Sequence, residues 1–361
     1  MQLSVPTETA PREQRVAIAP DSIGRLIKLG IDIVVQRGAG LAAGFRDDAY
    51  VAAGARIAPD AAATLSGSQI VAKVQPPTDG EIGLLPTGAT LIALLRPGHA
   101  DGLATKLAAR GVTGLALELV PRITRAQSMD VLSSQATVAG YKAVLLGAEL
   151  LPKFLPMLTT AAGNITPAKA FVVGAGVAGL QAIATCKRLG AVVSAFDVRA
   201  AVREQVQSLG ATFVAAELAA PGSETAGGYA REQSADEQTR TLAVIANHIK
   251  DVDLVIATAQ IPGKAAPRLI TEAMVRTMRA GSVIVDVAAE TGGNCELSKA
   301  GETVVVHDVT IVAPLNLAAT VPYHASQMFG RNIYELLKPH VKEGEFVLNA
   351  NDEILGKMIL K

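Results

Sequence analysis

The chain of 361 residues has no tryptophan, and aromatic residues make up only 3% of it. Proteins that bind single-stranded nucleic acid stack bases on aromatic side chains set along a basic groove, and the sequence contains no such basic stripe with aromatics between. Charge of one sign is also missing. Lys plus Arg and Asp plus Glu are equal at 33 each, so no net field recruits a polyanion. Cysteine is scarce: Cys186 and Cys295 are the only two, and neither lies in a CxxC pair or a Cys/His cluster. That excludes a disulfide framework and a thiolate metal site, and it fits inert thiols in a reducing cytosol. Both cysteines are expected within regular elements. No signal peptide is visible, because Met1 to Pro6 already reads as a short strand. No membrane span is visible either. Of the two longest uncharged apolar stretches, 170–186 is interrupted by glycines, and 309–330 carries Pro314, Asn316, Pro322, His324 and Gln327, which are costly inside a bilayer.

What is abundant points one way. Half the residues are hydrophobic, with much Ala and Gly, which suits tightly packed α/β layers. The length favours two domains over a single core. Apolar runs of strand length alternate with helical patterns almost throughout. Runs at 2–5, 31–35, 69–74, 90–95 and 115–119 are separated by helices expected over 21–29, 47–53 and 101–110. Continuous apolar strands with helices between them indicate a parallel sheet covered on both faces. A long helix is expected over 133–158, bridging to a second unit, with Leu145, Leu146, Glu149 and Leu150 spaced along one face. The second unit continues with strands at 212–214, 254–257 and 282–286, a helix at 271–279, strands at 303–306 and 310–312, and a helix at 325–337 that returns to the first domain. The expected division is a discontinuous Rossmann-like domain of residues 1–132 plus 314–361, and an inserted Rossmann domain of residues 133–313. The fold class is α/β, two doubly wound domains with parallel sheets and the cofactor in the cleft between them.

The most informative stretch is AFVVGAGVAGLQAIATCKRLGAVVSAFDVR at 170–199. Gly174, Gly176 and Gly179 stand in the spacing GxGxxG, after an apolar run and before a helix that opens at Val177. A second apolar run then ends on Asp197. The first glycine allows the tight turn, the second lets backbone N–H groups approach a pyrophosphate, and the third lets the helix pack close to the strand. The helix N-terminus presents unpaired N–H groups and partial positive charge to the phosphates. Asp197 stands where a carboxylate accepts hydrogen bonds from the adenosine ribose and repels a 2′-phosphate, which favours NAD over NADP. A glycine-rich turn in any α/β domain is the alternative; the strand, helix, second strand and terminal acid around this one argue against it. Arg199 and Arg203 follow closely and are the groups that would instead hold a 2′-phosphate.

Two further segments carry polar side chains that packing does not explain. The stretch 120–140, VPRITRAQSMDVLSSQATVAG, leaves a strand and enters the long helix with Arg122, Arg125, Gln127, Asp130, Ser133, Ser134 and Gln135. Ligands of open α/β sheets bind at such carboxyl ends, and a nicotinamide carboxamide needs donors and an acceptor of these kinds. A solvated loop with an N-cap for the helix is the plainer reading. The stretch 221–236, PGSETAGGYAREQSAD, has little apolar content. It is either a disordered connection or a lid beside the cofactor, with Tyr229 as the group able to pack on it.

The chain resembles the NAD(H)-binding alpha subunits of proton-translocating NAD(P) transhydrogenases. The resemblance covers nearly the whole chain. It rests on PTETAPREQRVAIAP at 6–20, VPRITRAQSMDVLSSQATVAGYKAV at 120–144, VVGAGVAGLQAIATCKRLGA at 172–191, FDVRAA at 196–201, ETAGGYA at 224–230, IPGKAAP at 261–267 and DVAAETGGNCELS at 286–298. It implies that Arg122, Gln127, Ser128, Met129, Asp130 and Ser133 hold the nicotinamide end of NAD(H). It implies that Gly174, Gly176, Val177, Gly179, Asp197, Val198 and Arg199 line the pyrophosphate and adenosine ribose, with Glu224 and Ile261 also at the nucleotide. Gln127, Asp130, Arg122, Ser133 and Tyr229 are the residues expected to govern hydride transfer, Tyr229 from a loop that closes over bound nucleotide. NADP(H) would be held on a partner subunit, protons would move in membrane subunits, and the chain would form a homodimer. It would be cytoplasmic, peripheral on the inner face of a bacterial membrane without inserting into it, and would bind no nucleic acid or metal. The tail NANDEILGKMILK ends sooner than this resemblance leads one to expect.

Alanine dehydrogenase, from the same family tree, is the alternative. Arg15 and Lys73 match its substrate-holding cations. Its catalytic His is missing: the chain reads LIALLRPGH at 91–99, with Arg96 at or near the position and His99 three residues on. Its Asp before the paired glycines is here Glu290. Amino-acid oxidation needs a base, and none is evident. A non-catalytic NAD-binding module would share the cofactor site and differ only in whether hydride leaves.

Overall fold

The computed structural model describes residues 1–98, 102–214, 230–231, 233–261 and 263–361. The chain divides into two compact units. One is Met1–Gln135 with Ala318–Lys361, the other Ala136–Leu317.

The first unit is built on a six-stranded, all-parallel sheet of β1 (Gln2–Val5), β2 (Asp32–Gln36), β3 (Arg56–Ala58), β4 (Ile70–Ala72), β5 (Thr90–Ala93) and β6 (Thr113–Ala116), in the order β3-β2-β1-β4-β5-β6. Successive residues of one strand enter opposite cores, because side chains alternate across a pleated strand. Ile70, Ile92 and Leu115 pack with Phe329, Ile333 and Leu336 of the helix Pro322–Leu337, whereas Val71, Leu91 and Ala93 pack with Leu103 and Leu107 of the helix Leu103–Ala109. Both faces are therefore covered, as the unbroken apolar runs require. The strand order reverses between β1 and β4, which makes their carboxyl ends the switch point where ligands of such sheets bind.

The second unit opens with the remainder of a long helix, followed by a small antiparallel hairpin of β7 (Leu158–Thr160) and β8 (Gly163–Ile165). Its main sheet holds seven strands. They are β9 (Lys169–Val173), β10 (Val192–Phe196), β11 (Thr212–Phe213), β12 (Leu254–Ala257), β13 (Val283–Asp286), β14 (Thr303–Val306) and β15 (Val309–Val312), in the order β11-β10-β9-β12-β13-β15-β14. All neighbours are parallel except β14, which closes one edge as an antiparallel hairpin with β15. The alternation recurs: Val172, Ile256 and Val285 face one core, Phe171, Val255 and Ile284 the other. The α/β, doubly wound class expected from sequence is borne out in both units.

Several elements differ from the sequence expectation for local reasons. The strand expected over 115–119 ends at Ala116, and Leu117–Leu119 turns into a 3-10 helix. The long helix is Val131–Leu150, not 133–158. Pro152 and Pro156 lack the N–H that would extend it, and the hairpin of β7 and β8 takes up the chain beyond them. The helix's buried positions are Val131, Gln135, Val138, Gly140, Ala143, Val144 and Gly147 rather than the expected face, and Glu149 is exposed. Small residues explain that choice. A Cβ at Gly140 would collide with the Ala178 carbonyl, and one at Gly147 would come within 2.6 Å of Leu254 Cδ1. The helix Ala235–Ile249 is not signalled by apolar periodicity, although Ser234 and Glu237 form a capping box at its start. The helix expected over 271–279 is only Glu272–Val275. Cys186 lies in a helix as expected, but Cys295 lies in a loop, joined to Ile270 by an isolated bridge. Burial pushes the two thiols up to about 12 and about 11 respectively, so neither is a ready nucleophile.

Candidate functional site

The glycine turn is built as its spacing requires. β9 ends at Val173, and Gly174 turns with φ +92°, a conformation that glycine adopts without strain. A Cβ at Gly174 would lie 2.9 Å from Ala259 N, and one at Gly179 would collide with the Gly174 carbonyl oxygen. Both positions are closed to any larger residue. Among the described residues, a Cβ at Gly176 would meet only Arg199 Nη2, at 3.9 Å. Gly176 is also the N-cap of the helix Val177–Arg188, and among the described residues no side chain caps that end. Val177 is partly exposed there. Uncapped N–H groups, a helix dipole and an open face suit a pyrophosphate.

The turn is held from two sides. Gly174 N donates to Phe196 O at 2.8 Å, and Thr258 Oγ1 donates to Gly174 O at 2.8 Å. Fully buried Asn294 fixes the adjoining loop: its Oδ1 accepts from Ala259 N, and its Nδ2 donates to Ala259 O and Pro267 O. That loop carries Ile261, which is half-buried. Sequence reasoning misses Thr258 and Asn294, since nothing in their spacing ties them to the turn.

Asp197 follows β10 and is buried to 6% exposure. Its Oδ2 accepts from Ala175 N at 2.7 Å and from Arg199 Nη2 at 2.8 Å; its Oδ1 accepts from Arg199 N and Nε, both at 2.9 Å. Two bonds per oxygen fill the carboxylate's usual acceptor capacity. Asp197 thus braces the glycine turn and turns Arg199 back on itself. Val198 is half-buried beside it, and Arg203 is exposed at the start of the helix Arg203–Ser208.

The segment after β6 gathers the other candidates within the first unit. Thr124–Met129 forms a 3-10 helix anchored by buried Ala126 and Met129, leaving Gln127 and Ser128 exposed. Arg122 is exposed too. Asp130 Oδ1 accepts from Ser133 N at 2.9 Å and its Oδ2 from Ser133 Oγ at 2.6 Å. That is the N-capping geometry, so Asp130 starts the helix Val131–Leu150 as well as facing the loop. Arg125 pairs with Asp352 and Glu353, and buried Gln135 bonds Ala325 O. Arg122, Gln127, Ser128, Met129, Asp130 and Ser133 are therefore brought into one segment. Gly174, Gly176, Val177, Gly179, Asp197, Val198, Arg199 and Ile261 belong to the second unit. Glu224, Tyr229 and His99 lie outside the described residues.

At the switch point of the first sheet the cations Arg15 and Lys73 are enclosed by carboxylates. Arg15 Nε and Nη2 grip both oxygens of Glu13 at 2.8 and 2.7 Å, with side-chain exposures of 3% and 0%, and Nη1 bonds Gln135 Oε1. Lys73 Nζ bonds Glu81 at 2.7 Å and lies 3.6 Å from Glu8. Burial pushes the Glu8 carboxyl up against the pull of Lys73. Burial pushes Glu81 up as well, but its hydrogen bonds from Lys73 and Thr78 outweigh that, and its pKa falls below the ordinary value. The nearer partner of Lys73 thus carries its charge more readily. Gln75 links Glu13 to Arg96, whose backbone N bonds Glu118. Glu8 and Glu13 share the loop after β1, whereas Glu81 and Glu118 come from later stretches of chain that the fold brings alongside. Among the described residues no group of three or more His, Cys, Asp or Glu is arranged for a metal ion, and no helix is long and apolar enough to cross a membrane.

Comparison with known proteins gives this geometry a context. The family pattern "Alanine dehydrogenase/PNT, N-terminal domain" matches residues 4–139, and "Alanine dehydrogenase/PNT, C-terminal domain" matches residues 143–361. The chain belongs to the alanine dehydrogenase/PNT family. It is 46% identical over 364 residues to the first of the chains that make up the alpha subunit of NAD(P) transhydrogenase in Rhodospirillum rubrum, covering 99% of this chain and 95% of that one. A crystal structure of transhydrogenase from Sinorhizobium meliloti superposes with a TM-score of 0.91 at 43% identity, over 100% of this chain and 98% of that one. Alanine dehydrogenase of Halomonas elongata is 32% identical over 335 residues, covering 91% and 84%. Membership places the chain in an oxidoreductase-type family, and the glycine turn of its second unit suits the nucleotide cofactor such a family uses.

Proposed function

We propose that this chain is the NAD(H)-binding subunit of a proton-translocating transhydrogenase. It would hold NAD(H) for direct hydride transfer to or from NADP(H) on a partner subunit. The observation that favours this over amino-acid oxidation is the enclosure of Arg15 and Lys73. A substrate carboxylate would have to displace Glu13 from a buried, two-point ion pair and leave that acid buried without its cation.

Bound NAD(H) supplies the chemistry, a hydride at C4 of the nicotinamide ring. The residues supply position and charge. The amide groups at the Val177–Arg188 helix start hold the pyrophosphate. Asp197 would receive the ribose hydroxyls, and because its oxygens already accept four bonds, one of its donors from Arg199 or Ala175 would give way. Arg122, Gln127, Asp130 and Ser133 orient the carboxamide, with Ser128 and Met129 forming the turn beneath. No side chain is required to act as a base. The partners are the NADP(H)-binding domain and the membrane subunits that move protons, with this chain dimeric and peripheral on the cytoplasmic face.

The test is a comparison of NADH and NADPH binding by the purified chain. NADH is expected to bind far more tightly, because a 2′-phosphate removes one ribose donor and sets a dianion against Asp197. Equal affinity for the two nucleotides contradicts the assignment.

A further inference from the structure

The turn that presents Gln127 is fixed from beneath by one side chain of a distant helix. Asn332 lies in the helix Pro322–Leu337 and is 8% exposed. Its Nδ2 donates to Ser128 O at 2.7 Å, across 204 residues of sequence. Its Oδ1 is buried with no hydrogen-bond partner among the described residues. A buried amide that satisfies only half of itself is a cost to the fold. An apolar residue of the same size would remove that cost. The group that Asn332 does satisfy is the backbone carbonyl of an exposed residue, in a bond that is itself only partly buried. Stability alone is therefore a poor reason for an asparagine at this place.

The position of the bond supplies a better one. Ser128 adjoins Gln127 on one side, and beyond Met129 lies Asp130, which caps the next helix. Buried Ala126 and Met129 fix the turn's depth but not its rotation, since apolar contacts are not directional. A hydrogen bond to a carbonyl is directional. We propose that Asn332 is a positioning residue for hydride transfer, setting the rotation of the Thr124–Met129 turn and so the aim of the Gln127 carboxamide. This rests on the proposed role of Gln127 at the nicotinamide.

The experiment compares Asn332→Leu and Gln127→Asn in the complex assembled with its partner subunits. Thermal unfolding, NADH affinity and the single-turnover rate of transfer are measured for each. Asn332→Leu is expected to unfold at or above the wild-type midpoint, to bind NADH within about twofold, and to transfer hydride about five- to tenfold more slowly. Amide exchange across 124–130 is expected to rise in the same protein. Asn332→Ala, which leaves a small cavity, should show the same rate loss with a lower midpoint. Unchanged transfer in a folded Asn332→Leu protein overturns the proposal. So does a parallel loss of stability, affinity and rate, which is the mark of a purely structural residue. If Gln127→Asn slows transfer and Asn332→Leu does not, the positioning role alone fails; if neither does, the assignment of Gln127 to the nicotinamide fails with it.

Discussion

Asp197→Ala is expected to weaken NADH binding by about ten- to a hundredfold. Hydrogen bonds to a charged group contribute about 1.5–3 kcal/mol, and this carboxylate is the group proposed to accept the ribose hydroxyls. The substitution also reaches the phosphate side of the site. Ala175 N loses its acceptor, so the glycine turn loses a brace, and the Arg199 guanidinium, 13% exposed, loses its bonds to that carboxylate. Removing one member of a buried pair costs about 3–5 kcal/mol, so a lower unfolding midpoint should accompany the weaker binding. Calorimetric titration with NADH and ADP-ribose separates the parts. Both ligands carry the ribose and pyrophosphate and should weaken alike. Wild-type affinity for either would remove Asp197 from the site.

Gln127→Asn is expected to leave NADH affinity nearly intact while slowing transfer about a hundredfold. On the proposed reading the adenosine and pyrophosphate contacts belong to other residues, so binding has little to lose. Shortening the side chain by one methylene moves its amide by about 1 Å, and misplacement of reacting groups by that much can cost about 10²-fold. Single-turnover transfer in the assembled complex measures it; a rate within twofold of wild type would show that Gln127 does not orient the ring. Asp130→Ala is a less clean probe. Asp130 caps the helix Val131–Leu150, and loss of a cap costs about 0.5–2 kcal/mol in stability by itself.

The dinucleotide turn is legible because local sequence fixes it: three glycines at set spacing, two of them barred from carrying a side chain by nearby backbone or a neighbouring loop. The parallel sheets are legible for a similar reason, since a strand buried on both faces must be apolar throughout. Helix ends are harder. The prolines at 152 and 156 and the capping box of Ser234 and Glu237 are plain signals, but both lie in stretches of weak apolar periodicity, and the helix Ala235–Ile249 follows a run of polar residues. The least legible features depend on distant chain. Glu13 pairs with Arg15 and Glu81 with Lys73 within their own stretches of chain, but Glu8 reaches Lys73 only once β1 and β4 lie side by side. Asn332 reaches Ser128 only after the final long helix has packed under the loop. The Asp197–Arg199 pair is adjacent in sequence, yet spacing cannot tell an arginine aimed at a phosphate from one folded back on its own aspartate.

The central claim is that hydride leaves NADH held here and arrives on NADP⁺ held by a partner. The most direct measurement uses NADH deuterated at the transferring C4 position, the purified chain and its NADP(H)-binding partner, with and without L-alanine. Deuterium is predicted to appear at C4 of NADPH with none lost to water, at a rate that alanine leaves unchanged, and the chain alone is predicted to oxidise no alanine with NAD⁺ at any pH. An alanine-dependent reduction of NAD⁺ by the chain alone, or the absence of deuterium in NADPH, would contradict it.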